Sequence, residues 1–324
     1  MSTRRKLAGS EASGDARCAI ATCAALDELT AQLLLAPATD GHRAFFARLN
    51  LDDEDDPVCA HPAGREGLSL MRECCRAGED AGEDASEVAG SSSEALAETA
   101  NGSSTARAEV ASSSSAALAR ELSNDFTKLF VGPGRKPCPP WSSVYLDGKR
   151  LVNGPTAQEV KRVVRSLGLA APAGNHEPWD HAGYEFLVVA ALLNRWCEAA
   201  DRKTEPAAGK TRGNAGGANA PLGAGRSANG ANAPLGAGGN RDDAEDASPA
   251  DAPANATDAS NALTRALDFC ERYLAPWMPA FLDDVAAHAR TDFYRGFALF
   301  ARAVLDVNLH EMRRILQGCR KAAA

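Results

Sequence analysis

The sequence predicts an all-α fold, and three observations carry that reading. Apolar residues recur at spacings of three and four along most of the chain that is rich in them. No segment alternates apolar and polar residues as a half-buried strand does, and the one β-like run, 142–145, is too short to build a sheet. The stretches between helical blocks are Ala, Gly, Ser and acid-rich, with few large side chains. Such stretches bury too little surface to offset an ordering cost of roughly 1–2 kcal/mol per backbone residue. The expected architecture is a single irregular helical bundle over 16–324. A disordered start covers 1–15, and low-complexity insertions interrupt the bundle at 77–115 and 201–260. About 220 residues remain, enough for one sizeable core.

The first expected helix covers 16–35, on Ile20, Leu26, Leu29 and Leu33, and stops at Pro37. A short helix over 44–49 starts near Asp40. Residues 51–57 form an acidic run, read as solvated surface. Leu68, Leu70 and Met71 mark a helix over 68–75. Helix resumes near Ala116, where Leu118, Leu122, Phe126, Leu129 and Phe130 make one broad apolar face that ends at Gly132-Pro133-Gly134. Pro139-Pro140 is incompatible with a helix interior, so 135–153 crosses the surface extended and holds Trp141, Val144 and Tyr145 against it. Thr156 is the expected N-cap of a helix over 157–167, with Glu159 completing a capping box. Asp180 is the expected cap of a helix bearing Phe186, Leu187, Val189, Ala190, Leu193 and Trp196.

Residues 218–225 recur as 231–238. Two copies with one Leu each cannot stack into a core, so this is a linker-like expansion. Helix returns near Ala262 with Leu263, Leu267, Cys270 and Leu274, and Pro276 stops it. A short helix over 280–289 precedes the last long one. Thr291 or Asp292 caps that helix, whose stripe is Phe293, Phe297, Phe300, Val304 and Met312.

Net charge is −8, which argues against a nucleic-acid partner and is compatible with a cationic ligand. The nine cysteines are odd in number and contain no Cys-x-x-Cys pair. They read as reduced side chains used as small hydrophobes, not as metal ligands or nucleophiles. No uninterrupted run of 18 apolar residues is present, so no stable membrane insertion is expected. Arg4-Arg5 imitates an export signal but lacks the apolar stretch such a signal needs, which points to a cytoplasmic protein.

Two enzyme-like motifs fail on context. His176-Glu177 with His181 has a spacing of five, broken by Pro178, where a zinc helix needs four. Gly209-Lys210-Thr211 has Thr204 where a phosphate loop has glycine, and it lies in low complexity. What remains is a binding constellation: Trp141, Tyr145, Glu177, Trp179, Asp180 and His181. Carboxylates pair with guanidinium, and aromatics supply apolar and cation–π surface. Each has a plainer role open to it, Asp180 as a helix cap and Trp141 and Trp277 as core aromatics.

Four blocks in order, Glu121 to Phe130, Pro140-Trp141-Ser142-Ser143-Val144-Tyr145, Glu177-Pro178-Trp179-Asp180-His181 and Leu274-Ala275-Pro276-Trp277-Met278-Pro279, resemble the TorD/DmsD family of molybdoenzyme maturation chaperones. The resemblance covers roughly 111–200 and 259–317, with a weaker fit in 16–76. It departs at Tyr273, where members often have His, and in its two long insertions. It implies a non-enzymatic cytoplasmic chaperone without cofactor or metal. The implied partners are the twin-arginine signal peptide and the catalytic subunit of a molybdopterin oxidoreductase of the dimethyl sulfoxide or trimethylamine oxide reductase class. The residues that match the family's binding surface are Pro140, Trp141, Tyr145, Glu177, Pro178, Asp180 and His181. The alternatives are a generic assembly factor that binds a folded subunit, as nitrate-reductase chaperones do, and a guanine-nucleotide-binding protein.

Overall fold

The computed structural model describes residues 2–80, 102–133, 136–169, 177–204 and 256–323. The 81–101 part of the first insertion, all of the 218–238 repeat, the Gly209 motif and His176 lie outside these residues. The helices are α1 (Ser2–Leu35), α2 (Asp40–Ala47), α3 (Pro57–Ala60), α4 (Pro62–Asp80), α5 (Gly102–Phe126), α6 (Ser142–Leu146), α7 (Pro155–Ser166), α8 (Ala182–Thr204), α9 (Ala256–Phe269), α10 (Met278–His288) and α11 (Asp292–Ala323). Among the described residues there is no strand, only an isolated antiparallel bridge between Trp141 and His181. The chain is all-α, as its periodicity predicts.

Two compact units share the chain. One is built from Met1–Leu34, Trp141–Met278 and Leu305–Ala324, the other from Leu35–Pro140 and Pro279–Val304. In the first unit α1 buries Ile20, Cys23, Ala24, Leu33 and Leu34, and α8 buries Phe186, Val189 and Leu193. The segment Gly14–Leu35 is long and apolar enough to cross a membrane by length and composition. Its inward face nevertheless carries Asp27, fully buried, whose Oδ1 accepts from Asn308 Nδ2 at 2.6 Å. Burial pushes the Asp27 carboxyl well above the carboxylate range, against the bond from Asn308. A buried acid bonded to another helix marks this as a core helix.

In the second unit an aromatic cluster forms the core. Phe46 meets Phe293 edge-on at 5.6 Å, and Phe130 meets Tyr294 at 6.0 Å. Edge-to-face pairs of this kind add about 0.5–1.5 kcal/mol beyond their burial. The buried Asp125 carboxylate accepts from the backbone N–H of Arg290 and Thr291 and from the Thr291 hydroxyl, at 2.8–3.2 Å. It thereby secures the entry to α11, and the Thr291 hydroxyl in turn accepts from Tyr294 N–H at 3.4 Å. Asp56, in the acidic run, caps α3 through Val58 and Cys59 N–H at 2.9 Å each.

Element ends depart from the periodicity. α4 runs 62–80 and α5 begins at 102, both longer than their apolar stripes. Ala, Glu, Arg and Ser sustain helix without an apolar face, so periodicity does not register them. The two helices meet where Ser114 Oγ donates to Gly78 O at 2.8 Å. α5 and α9 each widen into a π-turn, Thr127–Val131 and Cys270–Leu274. Thr156 is not the N-cap of α7. Gly154 is, Pro155 opens the helix, and the Asp147 carboxylate takes both Thr156 N–H and its hydroxyl. A Cβ at Gly154 would lie 2.1 Å from Asp147 Oδ2, so a larger residue there would push that carboxylate away from Thr156. Glu159 instead accepts from the Tyr273 hydroxyl at 2.9 Å.

α4 and α11 cross at a glycine pair. A Cβ on Gly296 would lie 2.4 Å from Gly67 O, and one on Gly67 would lie 2.5 Å from Gly296 O. Backbone cannot yield as a side chain does. Gly296→Ala is therefore expected to lower stability by about 1–3 kcal/mol in urea denaturation while helical circular dichroism is retained. An unchanged midpoint would contradict the close crossing.

Candidate functional site

The site is assembled by proline, a bridge and a remote cap. Pro140 is buried and holds Pro139 extended before it, and Trp141 follows with a β-like backbone at φ −122° and ψ 127°. Ser142 N–H then donates to Asp180 O at 3.0 Å, which lays 141–142 alongside 180–181. α6 has no cap from its own preceding residue. Asp180 supplies it from 37 residues away: Oδ2 accepts from Ser143 N–H at 2.8 Å. A carboxylate at the first turn of a helix meets unpaired N–H groups and a favourable dipole.

Asp180 therefore caps α6, not the helix that comes after it in sequence. α8 is capped by His181. Its carbonyl accepts from Tyr184 and Glu185 N–H at 2.8 and 3.1 Å, and its Nδ1 accepts from Gly183 N–H at 3.1 Å. That bond places the ring proton on Nε2. Burial holds the imidazole neutral, pushing its pKa from 6.5 to about 3. The ring stands edge-on to Trp141 at 6.1 Å and tilts against Tyr184 at 5.6 Å.

Glu177 is exposed, and its Oε2 accepts from Trp141 Nε1 at 3.2 Å. Pro178 and Trp179 are half-buried beside it in sequence, and Pro178 O accepts from His181 N–H at 3.1 Å, closing the turn. Tyr145, half-buried, lies at the end of α6 with its ring 5.2 Å from that of Trp277.

Trp277 leads to a residue that the sequence pattern did not single out. Its Nε1 donates to Glu185 Oε2 at 3.1 Å as well as to Tyr273 O at 2.7 Å. Glu185 is fully buried, one turn after His181. Burial pushes its carboxyl well above the carboxylate range, the neighbouring Asp180 charge pushes it the same way, and Ser142 and the Trp277 indole pull it back. Asp180 is raised in turn, by burial first, against the bond it accepts from Ser143 N–H. A lone acid on an otherwise apolar helix face was the signal available for Glu185.

Of the seven predicted residues, six lie in the first unit: Trp141, Tyr145, Glu177, Pro178, Asp180 and His181. Asp180 and His181 form a buried frame, whereas Glu177 and Tyr145 reach solvent. Among the described residues no group of three His, Cys, Asp or Glu is placed to hold a metal.

A sequence model of the family described as nitrate reductase delta subunit matches residues 90–213. Among curated proteins, Chaperone protein TorD of Aliivibrio salmonicida is 33% identical over 73 residues, 22% of this chain and 34% of that protein. Probable Tat proofreading chaperone DmsD of Haemophilus influenzae is 31% identical over 73 residues, 22% of this chain and 36% of that protein. Tat proofreading chaperone DmsD of Salmonella typhimurium is 35% identical over 72 residues, 22% and 35% of the two chains. The aligned part spans about a third of the length of each relative. The matched relatives are named as TorD and DmsD chaperones, and the chain is similar to them over that third of their length.

A neutral buried His181 makes stability fall with acid. Its folded pKa lies below its unfolded value of 6.5, so its contribution is present above pH 6.5 and is lost as pH falls toward 3. The advantage of the natural chain over His181→Asn is expected to shrink by about 1.4 kcal/mol per pH unit below pH 6 in urea denaturation. Asp180 and Glu185 titrate in both chains and cancel in the difference. Parallel pH profiles would contradict a buried neutral ring.

Proposed function

We propose that this chain is a cytoplasmic maturation chaperone that binds the twin-arginine signal peptide of a molybdopterin oxidoreductase catalytic subunit and holds it until the cofactor is inserted. The client is of the dimethyl sulfoxide or trimethylamine oxide reductase class. The names of the relatives support the chaperone class. The observation that carries the peptide reading is the exposed Glu177 carboxylate bonded to the Trp141 indole edge. A guanidinium approaching there meets a carboxylate for a charge-assisted bond and aromatic surface for stacking. Tyr145 adds half-exposed apolar surface on the same short helix that Asp180 anchors.

In this reading the seven residues divide their work. Glu177 and Tyr145 contact the peptide, Trp141 and Pro178 shape the surface, and Pro140, Asp180 and His181 hold it in place. Asp180 has no exposed area with which to meet an arginine directly. A second reading, an assembly factor for a folded oxidoreductase subunit, is favoured by the description of the matching family model.

Calorimetry with the full chain and a leader peptide separates the two. Glu177→Gln and Tyr145→Ala are each expected to weaken binding about tenfold, near 1.4 kcal/mol, with unchanged helical content. Replacing both leader arginines with glutamine is expected to lower affinity further still. Equal affinity for both leaders would favour the assembly-factor reading.

A further inference from the structure

The turn between α6 and α7 exposes what a protein ordinarily buries. Leu146, Leu151 and Val152 are 39%, 60% and 46% exposed, three of the five exposed large hydrophobics among the described residues. They fall within seven residues. The turn is braced: Asp147 N–H donates to Ser143 O at 3.1 Å and Arg150 N–H to Asp147 O at 3.0 Å. The Asp147 carboxylate is tied to Thr156, and Gln158 Nε2 donates to Asn153 Oδ1 at 2.9 Å. Arg150 and Asn153 take left-handed backbone angles, φ 51° and 61°, which non-glycine residues adopt at a cost. A braced turn thus holds Leu151 and Val152 outward.

Charge in this segment runs against the rest of the chain. Residues 146–167 carry Lys149, Arg150, Lys161, Arg162 and Arg165, in a protein whose net charge is −8. The two acids of the segment, Asp147 and Glu159, are engaged by Thr156 and by the Tyr273 hydroxyl. Lys149 and Arg150 are exposed beside the apolar tip. Such a segment repels a cationic leader and attracts an anionic surface.

We propose that residues 146–152 dock reversibly on an anionic lipid surface. Leu151 and Val152 enter the interface while Lys149 and Arg150 meet the phosphate headgroups. Leu and Val are under-represented at protein-interface hot spots, and a projecting aliphatic pair needs an apolar medium but no shape-matched pocket. Two cations and a few aliphatic side chains give weak attachment that salt screens, far short of membrane insertion. The proposal does not rest on leader binding, because its residues are separate from those assigned to the peptide.

Sedimentation of the full chain with vesicles tests it. Binding is expected to phosphatidylcholine vesicles containing about a third phosphatidylglycerol, not to phosphatidylcholine alone. It should fall as salt is raised from about 0.05 to 0.5 M. The bound fraction should drop about fivefold or more in Leu151→Asp/Val152→Asp and in Lys149→Glu/Arg150→Glu, both with unchanged leader affinity and helicity. No preference for anionic vesicles, or equal binding by both variants, overturns the proposal. Loss in these variants of binding to a purified molybdoenzyme catalytic subunit, without vesicle binding, also overturns it and makes the turn a protein contact.

Discussion

A buried carboxylate must find donors, and the way Asp180 does so organises everything around it. Its Oδ2 reaches Ser143 N–H and its own carbonyl takes Ser142 N–H, so one residue fixes the start of α6 at both main chain and side chain. Without that tie a five-residue helix has little to hold it, because so short a segment closes few intrahelical bonds against the cost of ordering it. Trp141, which precedes α6, and Tyr145, which lies within it, take their positions from the same tie. His181 extends the frame by capping α8 with its carbonyl and ring nitrogen, and Glu185, one turn on, joins α8 to the Trp277 indole.

Remote carboxylates do this work repeatedly. Asp147 secures the first turn of α7 through Thr156, Asp125 secures the entry to α11 through Arg290 and Thr291, and Asp27 reaches Asn308 in the first unit. The Asp147 bond spans nine residues, whereas those of Asp125 and Asp27 join segments 165 and 281 residues apart. The two compact units are each drawn from separated stretches of chain, and such bonds are what separated stretches need.

This pattern also decides what was legible beforehand. The apolar stripes on α1, α5, α8 and α11 announced helices, and Phe293, Phe297, Phe300 and Val304 are buried as their spacing implies. The order of the motif blocks pointed to the residues around Trp141 and Asp180. Cap assignments fell one or two residues off, Asp180 for His181 at α8 and Thr156 for Gly154 at α7, because the better capping side chain by type was engaged elsewhere: Asp180 with Ser143 and Thr156 with Asp147. Sequence spacing records only local partners, so a carboxylate that caps a helix 37 residues away leaves no local mark. Glu185 was missed for a related reason, since its partner Trp277 lies on another segment. The long ends of α4 and α5 escaped because Ala, Ser and Glu hold helix without contributing to a stripe.

The most direct test of this account is hydrogen exchange at the Ser143 amide. An N–H in the first turn of a short helix has no intrahelical partner and ordinarily exchanges fast. The Asp180 cap predicts protection comparable with core amides of α8, lost in Asp180→Ala together with a shift of the Trp141 indole resonance. Rapid Ser143 exchange in the natural chain, or protection that survives Asp180→Ala, would contradict it.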